Sequence, residues 1–160
     1  MNDLDYYRQR FAFEAGITQS VLEQLRQAHS DFRPHPKAPT AGALFWTIIR
    51  GLMIRLDIVR TKEADGPPEN PYPSYEEMLS SYRELSRQLE AELATIDQSN
   101  WEARAEFRNG GKTALDWPIR DILWLFHFDV IHHRGQLTTY LRPMGGKVPS
   151  IYGRSGDDVS

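Results

Sequence analysis

Residues 127–153, HFDVIHHRGQLTTYLRPMGGKVPSIYG, place three histidines within seven positions, follow them with Arg-Gly-Gln, and end in a Pro- and Gly-rich run. The question is whether this is a metal site or the polar edge of a packed helix. On a helix, side chains three and four positions apart share a face. Ile122, Phe126, Asp129, Val130, His133, Leu137, Tyr140 and Leu141 then form one stripe, with His132 turned about 100° away. Asp129 and His133 fall one turn apart on the core-facing side. A carboxylate there is costly to desolvate unless something pairs with it. Two partners satisfy it: His133 itself, or a divalent cation shared by both side chains. His127, two residues before Asp129, faces elsewhere and is not expected to join them.

Working outward, Pro118 suits the first turn of this helix, predicted over 118–142, and the aperiodic residues 143–160 should form an extended C-terminal tail. Apolar spacing predicts three earlier helices over about 4–29, 40–60 and 74–97. Thr40 is the expected N-cap of the second, and Ser74 with Glu77 the capping box of the third. RPHPKAP and GPPENPYP read as connectors, because proline removes donors and pushes the preceding residue out of helical geometry. EARAEFRNGGKTAL carries a hairpin signal at Asn109-Gly110-Gly111. The expected architecture is all-α: one domain, 1–160, built as an antiparallel four-helix bundle with a C-terminal extended tail.

Bulk properties narrow the chemistry. A chain of 160 residues, 40% hydrophobic, suffices for one core. Nineteen basic residues against 22 acidic ones, with no basic block, argue against a nucleic-acid surface. There is no cysteine, so thiolate metal sites and a cysteine nucleophile are excluded, leaving His, Asp and Glu as ligands. The opening MNDLDYYRQRFAFEAG is charged and aromatic, unlike a secretory signal, and no apolar run is long enough to span a bilayer. A cytoplasmic protein without membrane association is expected. No Gly-x-Ser-x-Gly, phosphate loop or dinucleotide fingerprint occurs.

HHRGQLTTYLRPMGGKVPSIYG resembles the C-terminal signature of the DinB/YfiT-like family of four-helix bundles. FEAGITQSVLEQL and RPHPKAPTAGAL are similar to the N-terminal half of one branch, so the resemblance covers nearly the whole chain. It implies a divalent metal, nickel or zinc in many members, held by three histidines: one on the second helix and two spaced four apart on the last. Those positions fall on Thr47, Asp129 and His133, of which only His133 keeps the histidine. His127, His132 or the tail acids Asp157 and Asp158 could complete a ligand set if the fold brings them near, His127 least readily because it faces elsewhere.

Two functions follow as expectations. One is a metal-dependent hydrolase or thiol-dependent transferase of unknown substrate, with Asp129 and His133 as ligands or an acid–base pair at a bound water or thiol. The other is a non-catalytic bundle with a degenerate metal site, acting as a binding or stress-response protein. A homodimer is implied by the family. His132 is expected to be exposed or at a subunit contact, His29 and His35 to meet solvent, and Thr47 to bond a preceding carbonyl. Phe45, Trp46, Trp124, Phe126 and Phe128 are expected in the core or at a subunit contact, with Tyr140 and Tyr152 as pocket-lining candidates. Gly135 suggests close approach of a neighbouring helix or ligand.

Overall fold

Helix ends in this chain are set by side chains that satisfy the backbone N–H groups a first turn leaves unpaired. In the computed structural model, which describes residues 2–158, four long helices begin in this way or at proline. Helix α1 spans Asp3–Leu22 behind Asn2, whose side chain accepts from Asp5 N. Helix α2, Ala41–Thr61, starts at Thr40, which accepts from Ala43 N. Helix α3, Tyr75–Thr95, carries the full Ser74–Glu77 capping box. A short helix α4, Gln98–Glu102, leads to the sheet, and α5, Ile119–Leu141, follows Pro118. Met1, and Val159 and Ser160 of the expected tail, lie outside the described residues.

The apolar stripes of these helices turn toward one another. Helix α2 packs on α5 and α3, and α1 packs on α3 and α5. Tyr140 Oη donates to Pro39 O at 3.1 Å, so the end of α5 meets the start of α2 and the two run antiparallel. On α2, α3 and α5, residues Ile48, Ile49, Leu52, Ile58, Leu89, Ile122, Leu123, Leu137 and Leu141 are fully buried. No helix is long and apolar enough to cross a membrane.

The expectation of an all-α chain is corrected by a three-stranded sheet, ordered β1-β2-β3. Strands β2 (Arg104–Asn109) and β3 (Lys112–Pro118) form the hairpin signalled by Asn109-Gly110-Gly111, with Asn109 opposite Lys112. Both turn glycines have positive φ, 61° and 75°, the conformation a tight two-residue hairpin requires. The unforeseen strand is β1 (Glu63–Asp65), which pairs parallel with β2, Ala64 opposite Phe107. Three residues are too few to display a period of two, and β1 sits where the connector composition reads as loop. Its position is set by α2, which stops at Lys62 in a left-handed conformation (φ 63°) and delivers the chain to the edge of β2.

Helix α1 also ends earlier than predicted, at Leu22 rather than near His29. Arg26 is extended and Gln27–His29 is a 3₁₀ turn. The apolar period runs on as far as Leu25, which is buried, but the Gln27 side chain turns to accept Tyr75 N at 2.8 Å, so tertiary capping of α3 wins over local propensity. Gly110→Ala should destabilise the protein by about 1 kcal/mol, the cost of a Cβ in the left-handed region. Urea denaturation checks this, with secondary structure retained.

Candidate functional site

Helix α5 presents its faces differently from the predicted stripe. The buried positions are Ile119, Ile122, Leu123, His127, Val130, Arg134, Leu137, Tyr140 and Leu141, so the inner face is rotated toward His127 and Arg134. Asp129 and His133 lie on its flank. His133 Nε2 is 3.3 Å from Asp129 Oδ1, with side-chain exposures of 21% and 40%. His133 Nδ1 lies 2.9 Å from Gln136 Oε1, so both ring nitrogens have polar neighbours from the same helix. The hydrogen bond to Asp129 is the main reason its pKa is raised above the usual imidazole value, with burial opposing. An imidazolium, with an N–H toward each oxygen, fits this arrangement.

Thr47 lies on α2, level with His133 across the antiparallel pair, but its hydroxyl donates to Ala43 O at 2.9 Å. The tail acids are engaged within the tail: Asp157 with Arg142 and Val148 N, Asp158 with Ser150 and Ser155 N. Among the described residues no group of three or more His, Asp or Glu side chains is placed to hold a metal ion. The donor set at the three family positions therefore does not fit a tightly held nickel or zinc: one carboxylate, one doubly bonded imidazole and one protonated hydroxyl.

The polar centre of the molecule lies elsewhere, between α1 and α5. Arg134 is 2% exposed. Its Nη1 donates to Glu14 Oε2 at 2.6 Å and to Thr18 Oγ1 at 3.2 Å, and its Nη2 donates to Tyr152 Oη at 2.7 Å. Tyr152 Oη is 2.9 Å from both Glu14 oxygens, and Arg10 reaches Glu14 Oε1 at 2.6 Å. Burial pushes the Glu14 pKa up, but the bonds from Arg134, Tyr152 and Arg10 outweigh it and leave the carboxyl below its ordinary value.

Beside this network stands His127, 3% exposed, packed edge-on against Trp124 and Phe128 and tilted against Tyr7, with no hydrogen-bond partner among the described residues. Burial, then the neighbouring Arg55 guanidinium, holds its pKa down at about 3, so the ring is neutral near pH 7. His127 lines a cleft of about 470 Å³ together with Asp3, Tyr6, Arg10, Trp124 and Tyr152. That volume lies in the range of small-molecule sites. Asp3 fixes one wall by accepting from the indole nitrogens of Trp101 and Trp124, at 2.9 and 3.2 Å.

Sequence reasoning missed Glu14, Arg55 and His127 as site residues. The signal was available: on α1 the buried positions Leu4, Tyr7, Phe11, Glu14, Thr18, Val21 and Leu22 are at helical spacing, and Glu14 is a charge set in that stripe. Of the two tyrosine candidates, Tyr152 lines the cleft, while Tyr140 is buried and bonded to Pro39 O. Trp124 and Phe128 also line it; Phe45 and Trp46 are core, and Phe126 packs on Phe107. His132 and His35 are exposed, but His29 is partly buried and its Nδ1 lacks a partner among the described residues. Gly135 has nothing within 4 Å of where a Cβ would stand, which corrects the expected close approach.

A sequence profile of the DinB family matches residues 1–159, and the chain belongs to that family. It is 25% identical over 159 residues to the uncharacterized protein YrdA of Bacillus subtilis strain 168, covering 97% of this chain and 91% of that relative. A DinB-like protein from Bacillus cereus ATCC 10987 has the same fold, with a TM-score of 0.76 at 22% identity over 91% of this chain and 95% of that one. The DinB-like protein YjoA of Bacillus subtilis gives 0.72 at 18% identity, covering 93% and 98%.

Gly135→Ala should raise stability by about 0.5–1 kcal/mol, since helix propensity is gained and nothing is displaced; the denaturation midpoint checks this. The two imidazoles titrate in opposite senses. His127 has a lowered folded pKa, so its stability contribution is present above about pH 6.5 and lost as pH falls toward about 3, at up to about 1.4 kcal/mol per pH unit. His133 has a raised one, so its contribution is present below about pH 6.5 and lost as pH rises through the folded value. In an NMR titration His127 should stay neutral to pH 5. Asp129→Asn should move the His133 midpoint down.

Proposed function

We propose that this DinB-family protein is a non-catalytic small-molecule-binding member whose ligand occupies the cleft between α1 and α5. One observation carries the reading: a buried, neutral His127 without a hydrogen-bond partner among the described residues stands in a cleft of about 470 Å³. The open, aromatic-walled volume is at this cleft. At the family's metal positions the available donors are satisfied by their own helix, through Ala43 O for Thr47 and Gln136 for His133.

A second reading is a hydrolase or thiol-dependent transferase working from the flank of α5. The 3.3 Å approach of Asp129 and His133 favours it, because a carboxylate that orients an imidazole is the usual frame of a general base. Against it stands the second ring nitrogen, which faces Gln136 rather than open space. Nickel or zinc at Thr47, Asp129 and His133 would supply a bound water or thiol of lowered pKa, and the donor set argues against that load.

Metal analysis of protein purified without a nickel column, followed by calorimetric titration with zinc, nickel and manganese, separates the two. No stoichiometric metal and an unchanged melting temperature are expected. Submicromolar, one-to-one binding that disappears in His133→Gln would overturn the non-metal reading.

A further inference from the structure

Arg55 is a buried charge with no counter-ion among the described residues. It lies on the inner face of α2, 2% exposed. Its Nε donates to Gly51 O at 3.1 Å, its Nη1 lies 3.4 Å from Tyr7 Oη, and its guanidinium carbon sits 5.4 Å from the centre of the Phe11 ring. All three partners are neutral, and no carboxylate pairs with it among the described residues. The interior carboxylate, Glu14, is taken by Arg134 and Arg10. Arg10 and Arg134 both bond Glu14, and Arg55, which lines the same chamber as Glu14, has no carboxylate of its own among the described residues. Burying an uncompensated cation is among the more expensive things a fold can do, and a structural role does not require it. An apolar side chain of similar length would satisfy packing alone.

The charge has somewhere to act. Arg55 lines a small chamber with Phe11, Thr18 and Tyr82, and three residues of that chamber, Glu14, His127 and Ile131, also line the larger cleft. The chamber therefore lies directly behind the cleft. Its free volume of about 10 Å³ accommodates one water-sized group. One oxygen of an anionic group fits that limit, and a single guanidinium without a paired carboxylate matches the one charge of a carboxylate better than the nearly double charge of a phosphate. The cleft in front has an aromatic wall formed by Tyr6, Trp124 and Phe128, with Tyr6 tilted against Trp124 at 5.9 Å and Trp124 stacked on Phe128 at 5.5 Å. Such walls favour a planar ring system.

We infer that the cleft takes a flat aromatic monocarboxylate, one carboxylate oxygen reaching Arg55 in the chamber and its ring lying against the wall of Tyr6, Trp124 and Phe128. This rests on the small-molecule reading above and adds the charge and shape of the ligand. Arg55 binds the anion, and His127 and Ile131, which line both the chamber and the cleft, form the wall between its head group and its ring.

The test is calorimetric titration of the full chain with 2-naphthoate and with 2-naphthamide, its neutral isostere. Naphthoate should bind at least tenfold more tightly, and Arg55→Met should bring the two ligands to equal affinity. Because Arg55→Met removes an unpaired charge, its ligand-free melting temperature should equal or exceed that of the natural chain. Equal binding of both ligands by the natural chain, or a preference that survives in Arg55→Met, overturns the anion assignment while leaving the small-molecule reading intact. Binding of neither ligand overturns both. If Arg55→Met does not fold, that itself contradicts the argument that packing does not need the charge. A structure of the natural chain with naphthoate then decides: a carboxylate away from Arg55 overturns the inference.

Discussion

The buried pair Glu14–Arg134 is the constraint around which the functional end of this protein is arranged. It joins α1 to α5 across 120 residues of sequence, and both side chains are almost wholly removed from water. Such pairs give little net stability over apolar residues of the same size, yet removing one partner alone costs about 3–5 kcal/mol. Their value lies in register. Glu14 accepts from three residues and Arg134 donates to three, so the rotation of each helix about its own axis is fixed. That rotation turns His127 inward and leaves Asp129 and His133 on the flank.

Two centres on α5 thus separate by less than one turn of helix and differ in kind. The flank couple is self-contained, with an imidazole closed by its own helix. The inner centre is incomplete: a neutral imidazole lines the cleft and, one layer further in, stands a guanidinium without a counter-ion among the described residues. Natural proteins retain unsatisfied groups of this sort chiefly at functional sites, where the deficit is made up on binding. The family relationship fixes the fold; the chemistry of the cleft belongs to the particular side chains this chain carries.

Much of the fold could be read from the sequence. Thr40, Ser74 and Glu77 announce two helix starts because capping is a local contract between a side chain and the N–H groups two or three residues on. Gly110 and Gly111 announce the hairpin for a similarly local reason. Strand β1 could not be read, since a three-residue strand is created by its neighbour rather than by its own pattern. The site was only partly legible. The Asp129–His133 spacing was visible, but a stripe that includes residues 122, 126 and 133 overlaps one that includes 123, 127 and 134, and single-helix periodicity does not choose between them. What chooses is Glu14, a residue on another helix, whose own placement in an apolar stripe is the clue.

The small sheet has one more consequence. Its two outer strands, β1 and β3, offer unpaired backbone groups along their free sides, a template on which further copies could add. Those strands carry Glu63, Asp65, Lys112 and Asp116, and β1 is only three residues long. A newcomer would have to bring charge against charge for very few backbone bonds. The ladder is thereby capped at three rungs, and the chain can keep a hairpin at its surface without seeding fibrils.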